Sequence, residues 1–517
     1  MEEKLPHAAS PRRSRRFFVW GSVGLALLAL LLGGRFALRL LTRPESLFEA
    51  ATPVPTDTPV LWSPAFPVES VPTPAPTLTP IPTSTPVRSN ILSLMLMGID
   101  AYENGTTTSG TMPHTDVMMV VAVNFDEDTV DLITLPRDIM TTAPGHYGFY
   151  KLNGVFNVGL GGWTKPAGTA DELAAGFLLT CRAAEQWLGG VSIPYYYAVD
   201  FQAVIDIVDT IGGIDYDVDQ SFTAMSGKKT YKKGMQHLDG DAVLGYLRIR
   251  QSADGLDSSR TARQRRMMVA IFDKLKNEGK LTEIPALITA TSSGIYTNTT
   301  LLETTALVNY ALKLDADRIR TRAMFGEIGR IEFDWRYVYV DQQNRMDLIR
   351  EVYGIEAEPM GIDTRQYERW LHSMGFSVMK YLRQAEKVLR AAEEQKAAGE
   401  AYTDEQIALY GDCYRAYVAL KNGFDEATAT LSPLYAAAPW REQKNSSKGW
   451  TEAQRAQDKE LTARENAILI ALKDLQSASK EATVRLNGAI GVEGLSWTVK
   501  DKWYNDPDIN EVTVHFG

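Results

Sequence analysis

Cysteine and histidine are scarce in this sequence. Two cysteines among 517 residues exclude a disulfide-framed module and a cysteine-based zinc site. Six histidines, scattered from His7 to His515, leave little from which to build a multi-histidine metal centre. No G-x-S-x-G elbow and no P-loop occurs. An excess of positive charge is also missing: 54 Lys+Arg against 64 Asp+Glu give −10, which argues against a general nucleic-acid binder. What is present is ordinary globular composition, 44% apolar and 23% charged, in a length that suits two or three domains. The chemistry must therefore come from carboxylates, arginines and hydroxyls.

The first ninety residues address a compartment. Arginines 12, 13, 15 and 16 precede an uncharged apolar run from Phe17 to Gly34, just long enough to span a bilayer, and Phe36–Leu41 extends it if Arg35 and Arg39 snorkel. No small-x-small cleavage site ends the run. We therefore expect a cytoplasmic tail at 1–16, an uncleaved signal anchor at 17–41, and an extracytoplasmic remainder on a single-pass membrane protein. Residues 42–89 form a Pro/Thr-rich linker, with eleven of the 24 prolines between Pro53 and Pro86. Such a segment favours extended polyproline II at about 3.1 Å per residue and predicts a passive spacer with a reach of up to ~100 Å.

Three strand patterns follow: Ile91–Ile99 ending in Asp100, Val117–Val123 beginning after Asp116, and Val130–Leu135 stopped by Pro136-Arg137-Asp138. In an antiparallel meander the end of the first, the start of the second and the end of the third share one sheet edge, gathering Asp100, Asp116, Arg137 and Asp138. Two carboxylates facing an arginine form a surface ion-pair network, or they hold a magnesium ion beside a phosphate-binding arginine.

Farther along, residues 248–266 contain six arginines. Asp239 or Gly240 caps a short helix over Asp241–Leu247, and Arg248 and Arg250, two apart in the extended exit, point the same way. A helix from about Ser258 places Arg260, Arg263 and Gln264 on one face. Arginine forks match phosphate oxygens, although Asp254 and Asp257 also offer them surface partners.

Together these stretches resemble the LytR-CpsA-Psr family of bacterial envelope proteins. The resemblance rests on GID (98–100), HTD (114–116), LPRD (135–138), KLN (151–153), VDTIGGIDYDV (208–218), HLDGDAVLGYLRIR (237–250) and DSSRTARQ (257–264). It implies an α/β catalytic domain over residues 90–356, an α-β-α sandwich around a mixed, largely antiparallel sheet. It also implies a phosphotransferase that moves a glycopolymer from a polyprenyl-pyrophosphate carrier to a peptidoglycan acceptor as a phosphodiester, assisted by Mg2+. The family's magnesium aspartates match Asp100 and Asp116. Its pyrophosphate-binding arginines match Arg137, Arg248, Arg250 and Arg260, with Asp257 where an acidic residue orients them. Arg263 and Gln264 complete the motif, and Asp138 and His114 fall on the substrate side. The family usually reads Arg-Ser-Asp where this chain has His114-Thr115-Asp116, so an imidazole replaces one phosphate contact. A polyprenyl-pyrophosphate hydrolase or a non-catalytic lipid-phosphate sensor would use the same arginines. Direct control of DNA is not expected, because no helix-turn-helix fits in a cytoplasmic tail of about sixteen residues.

Residues 357–517 are Ala- and charge-rich and read as an antiparallel three-helix bundle. Capping signals stand at Asp363/Gln366, Thr403/Gln406 and Thr451/Gln454. Tyr367, Trp370, Leu371, Met374, Val378 and Leu382 begin an apolar stripe on the first helix. Val512–Phe516 alternate and suggest a short terminal strand. The bundle carries no catalytic constellation and is expected to act as a spacer, a stabilising unit or a docking module.

Overall fold

The computed structural model describes residues 47–48, 66, 90–101, 113–144, 146, 149–160, 170–249, 257–284, 294–328, 337–442, 449–495 and 497. The expected anchor at 17–41, most of the linker, Arg250 and the strand at 512–516 lie outside them. No helix among the described residues is long and apolar enough to cross a membrane.

Near-continuous apolar runs, buried on both faces, produce β1 (Ile91–Ile99), β2 (Thr115–Asn124) and β3 (Thr129–Thr134). They pair as the expected antiparallel meander, with Gly98 opposite Val117 and Met119 opposite Thr134. The chain continues through β4 (Met140–Thr142), β5 (Phe149–Lys151), α1 (Val155–Gly159) and α2 (Ala170–Trp187) to β6 (Tyr195–Val199). Then come α3 (Phe201–Thr210), β7 (Ile214–Val218), β8 (Phe222–Thr223), β9 (Thr230–Tyr231) and β10 (Gly234–Leu238). Next are α4 (Gly240–Leu247), α5 (Asp257–Asn277), β11 (Ile295–Thr297), α6 (Leu301–Lys313) and β12 (Ile319–Ala323). β13 (Gly326–Ile328), β14 (Val338–Val340) and α7 (Gln342–Tyr353) complete the first part.

The main sheet has the order β11-β6-β1-β2-β3-β12. Its β6–β1 and β3–β12 pairings are parallel and the other three antiparallel, so the sheet is mixed and mostly antiparallel. The two-residue period of β1 divides its side chains between two faces. Ile91, Met95, Met97 and Ile99 join Phe177 and Trp187 of α2 in one core, whereas Leu92 and Leu94 join Leu314 and the α6 side. Each fully buried side chain of this size contributes about 1.5–3 kcal/mol. A separate cluster of Val208, Ile214, Phe222, Tyr231, Val243, Tyr246 and Met267 ties α3, β7–β9, α4 and α5 into a lobe beyond the ends of β1 and β2.

The C-terminal part contains α8 (Arg365–Trp370), α9 (Phe376–Ala397), α10 (Asp404–Ala436) and α11 (Glu452–Ile490). Capping boxes form at Thr403/Gln406 and Thr451/Gln454. The first start differs from expectation. Thr364 Oγ1 accepts from Tyr367 N–H at 3.1 Å, while the Asp363 carboxylate is drawn to the Val340 N–H instead. Gln366 donates to the Ala438 carbonyl at 2.6 Å, where it joins two helices of the bundle. A π-helical turn over Leu371–Gly375 separates α8 from α9 and keeps Trp370, Leu371, Met374, Val378 and Leu382 in the core.

The bundle is not separate from the sheet. Phe149 of β5 meets the rings of Tyr367 and Phe424 at 5.4 and 6.2 Å, and one continuous apolar cluster runs from β1 to α11. The N-terminal stretch is also attached to this body. Phe48, 8% exposed, packs edge-on against Tyr195, and Phe66, 3% exposed, packs against Tyr402 and Tyr410 of the bundle. At these two points the linker is seated on the protein, unlike the free spacer its composition predicts. Both cysteines are buried free thiols, as their isolation in sequence leads one to expect.

Candidate functional site

The edge of the meander is built around one carbonyl. The backbone N–H groups of Asp100 and Asp116 both donate to His114 O, at 3.0 and 3.1 Å, and His114 N–H returns a 2.6 Å bond to Asp100 Oδ1. A register shift between Gly98 and Ile99 breaks the β1–β2 ladder at this point. The departure from the family's usual arginine thus lies in a segment whose backbone holds both aspartates.

Arg137 Nη1 donates to Asp116 Oδ1 at 2.8 Å, and Asn153 Nδ2 donates to the same oxygen at 3.2 Å. Arg260 Nη1, from α5, lies 3.8 Å from Asp116 Oδ2. Burial pushes the Asp116 carboxyl up, but Arg137 and Arg260 together outweigh it and hold the group below its ordinary value. Asp100 goes the other way. Burial raises it and the negative charge of Asp116 adds to the rise, with the His114 N–H bond offsetting only part. Two neighbouring carboxylates therefore carry unequal proton affinities.

These groups open onto a cleft between the strand ends and the second lobe. Asp100, Asp116, Arg248, Arg260 and Gln264 give it a polar side; Val199, Phe201, Val204, Leu244 and Leu247 give it an apolar one. Asp239 caps α4 by accepting from Ala242 N–H, and the helix ends at Arg248, whose guanidinium lies 4.5 Å from the Phe201 ring centre. Gln264 Nε2 reaches the Leu247 carbonyl at 3.5 Å.

Other expected site residues are placed differently. Arg263 is 2% exposed and its fork is taken by Asp219, at 3.0 and 3.2 Å, and by the Ile249 carbonyl at 3.3 Å. It is spent on holding the lobe and does not line the cleft. Asp138 faces cations, accepting from Lys151 Nζ at 2.8 Å and lying 3.4 Å from Arg137 Nε. A carboxylate so placed orients Arg137 rather than meeting a phosphate. Asp257 opens α5, and Arg250 lies outside the described residues. Asn153, Lys151 and Asp219 were not singled out from sequence, although the first two stand in the KLN stretch.

The donor set suits an oxygen-seeking divalent cation. Asp116 Oδ1 is occupied by Arg137 and Asn153, which leaves Oδ2 facing the cleft, and the second Asp100 oxygen has no hydrogen bond among the described residues. No third His, Cys, Asp or Glu joins them to complete a protein cage among the described residues. That pattern matches magnesium, which takes one or two carboxylates and fills its shell with water and phosphate oxygens.

The family model of the LytR_cpsA_psr family matches residues 79–352. The protein named polyisoprenyl-teichoic acid–peptidoglycan teichoic acid transferase TagV, from Bacillus subtilis (strain 168), is 27% identical over 241 residues, 45% of this chain and 56% of that protein. TagU of Bacillus mycoides (strain KBAB4), with the corresponding transferase name, is 29% identical over 213 residues, 41% of this chain and 62% of that protein. The chain thus spans less than two thirds of the length of these relatives. Among solved structures, B. subtilis TagV aligns with a TM-score of 0.41 at 24% identity, over 51% of this chain and 95% of that one. TagT bound to LIIa-WTA aligns with a TM-score of 0.39 at 22% identity, over 51% and 89%. The family match spans more than half of the 517 residues and contains every element that shapes the cleft: the chain belongs to the LytR_cpsA_psr family.

Proposed function

We propose that this protein transfers a glycopolymer from a polyprenyl-pyrophosphate carrier to peptidoglycan, forming a phosphodiester outside the cell membrane to which residues 17–41 anchor it. The observation that carries the reading is the pair Asp100 and Asp116 at the mouth of an apolar-backed cleft with Arg137, Arg248 and Arg260 around it. The printed transferase names of TagV and TagU add support from relatives.

Phosphoryl transfer needs charge neutralisation and in-line positioning more than covalent chemistry. Arg248 and Arg260 would take the pyrophosphate oxygens as paired forks, Arg248 with its position fixed by the Phe201 ring. Arg137 keeps Asp116 ionised, and Asp138 with Lys151 keeps Arg137 in place. Magnesium, held by Asp100 and Asp116, would supply charge neutralisation to the pyrophosphate oxygens. Either Asp100 or Asp257 would take the proton of the acceptor hydroxyl. Phe201, Val204, Leu244 and Leu247 give the lipid end of the donor an apolar wall and keep water from the reacting phosphate.

The test uses the full chain in lipid nanodiscs with a polyprenyl-pyrophosphoryl oligosaccharide and peptidoglycan fragments, with and without magnesium, beside Arg137→Ala. A metal-dependent and Arg137-dependent conjugate, identified by mass spectrometry, is expected. Free polyprenyl phosphate without conjugate would make the protein a hydrolase. Donor binding with no turnover in any condition would make it a sensor.

A further inference from the structure

Phe201 belongs to both halves of the site at once. β1 and β6 run parallel with Gly98 opposite Val199, so Asp100 and Phe201 leave the sheet side by side. The Phe201 N–H donates to the carbonyl of Ala101 at 3.0 Å, one residue beyond Asp100. Its buried ring has the Arg248 guanidinium 4.5 Å from its centre. Burial dominates the Asp100 carboxyl and raises its pKa, while the Arg248 charge is among those that pull it back. Carboxylate and guanidinium thus stand within each other's field.

The junction before Phe201 is fastened at several points. Asp200 is fully buried; its N–H donates to the Gly294 carbonyl at 2.9 Å. Its Oδ1 accepts from Ala203 N–H at 2.8 Å and so caps α3. Gly294 has φ +90°, and a Cβ there would stand 2.4 Å from Asp200 Oδ1. No side chain fits between them. From this fixed start α3 runs antiparallel to α4 and is joined to it again at its far end. There the Gly240 N–H donates to Asp209 Oδ1 at 2.8 Å, and a Cβ on Gly240 would meet the Ile205 carbonyl oxygen at 2.4 Å. Phe201 and Arg248 close one end of the helix pair, Asp209 and Gly240 the other.

We propose that Phe201 is a positioning residue that sets Arg248 against Asp100, so that the metal-side carboxylate and the pyrophosphate-side arginine keep one spacing. The inference rests on the reading given under Proposed function and extends it to a residue with no charge of its own. A guanidinium presents its donors as a planar fork, and contact with a ring face fixes that plane before any phosphate arrives. An aliphatic side chain in its place would fill much of the volume but leave the fork free to turn. The fork would then have to be ordered at the moment of binding, which weakens affinity.

The experiment measures binding of inorganic pyrophosphate with magnesium, by titration calorimetry, to the full chain in lipid nanodiscs. The variants are Phe201→Leu, Phe201→Tyr, Arg248→Gln and the double variant Phe201→Leu/Arg248→Gln, with thermal melts to establish that each is folded. Phe201→Leu is expected to bind roughly tenfold more weakly, and Phe201→Tyr as the wild type does. In the Arg248→Gln background Phe201→Leu should make no further difference, because the ring then has no guanidinium to orient. Transfer assays run on the same proteins. Ring-dependent pyrophosphate binding without any conjugate would sink the transferase reading and leave the positioning role standing. Undiminished binding by Phe201→Leu, additive losses in the double variant, or a Phe201→Tyr variant as weak as Phe201→Leu would overturn the proposal. A wild type that binds no pyrophosphate would overturn both.

Discussion

Asn153 connects the two charged halves of the site: its side chain donates to Asp116 Oδ1 at 3.2 Å while its backbone N–H donates to the carbonyl of Arg137 at 3.0 Å. The residue is 6% exposed and does not line the cleft, so it acts by fixing where Asp116 presents its remaining oxygen. Asn153→Ala is expected to lower apparent magnesium affinity and kcat by ~10–100-fold, as loss of outer-shell partners does. Metal titration of activity, with circular dichroism to establish folding, checks it; an unchanged magnesium midpoint would refute the positioning role.

Arg260 and Arg263 are three residues apart on α5 but serve different ends. Arg260→Ala should reduce kcat/KM by ~100–1,000-fold, about 2.7–4 kcal/mol, with little change in melting temperature. Arg263→Ala removes the fork that holds Asp219 and the Ile249 carbonyl, and should cost about 1–3 kcal/mol of stability. Its effect on turnover should be much smaller. Parallel denaturation and single-turnover measurements on the two variants separate these outcomes.

Glu185 supplies a pH signature. It accepts from Ile193 N–H at 2.7 Å, and burial raises its pKa above the ordinary 4.5 despite that bond. The folded state therefore binds this proton more tightly than the unfolded chain. Its contribution to stability declines as pH rises from the unfolded value through the folded one, and the full penalty stands above both. Glu185→Gln keeps the acceptor and removes the charge. It should raise the melting temperature at neutral pH and change it little below pH 4.5, which thermal melts across that range would test.

Phe424 joins the helical bundle to the sheet domain, stacked on Trp370 and facing Phe149. Phe424→Ala should cost about 3–5 kcal/mol. Because the apolar cluster is continuous, catalytic activity and bundle helicity should be lost in one thermal transition. Two well-separated transitions would show that the halves are independent.

Much of the site was legible because the residues that carry it sit where strands and helices end. Asp100, Asp116 and Arg137 stand at the strand ends that an antiparallel meander must bring together, and short apolar runs with polar stops define those strands. The capping boxes at Thr403 and Thr451 were readable because their donors and acceptors are three residues apart. Asp363 was not, since its carboxylate is claimed by the distant Val340 N–H. Arg263 misled for a related reason. Helical spacing puts it near the face of Arg260 and Gln264, but its side chain is long enough to turn toward Asp219, 44 residues away in sequence. Composition likewise describes the prolines between Pro53 and Pro86 and says nothing of where Phe48 and Phe66 come to rest.

Those two phenylalanines have a mechanical consequence. Among the described residues, a force applied to the N-terminus meets the folded body first at Phe48, beside Tyr195 of β6, and not at the start of β1. The two phenylalanines, eighteen residues apart in sequence, fasten this stretch to the sheet domain at one point and to the bundle at the other. With the proposed anchor at 17–41, residues inserted between Phe48 and Phe66 would leave the distance from anchor to cleft unchanged as long as Phe48 holds, whereas residues inserted ahead of Leu47 would alter it.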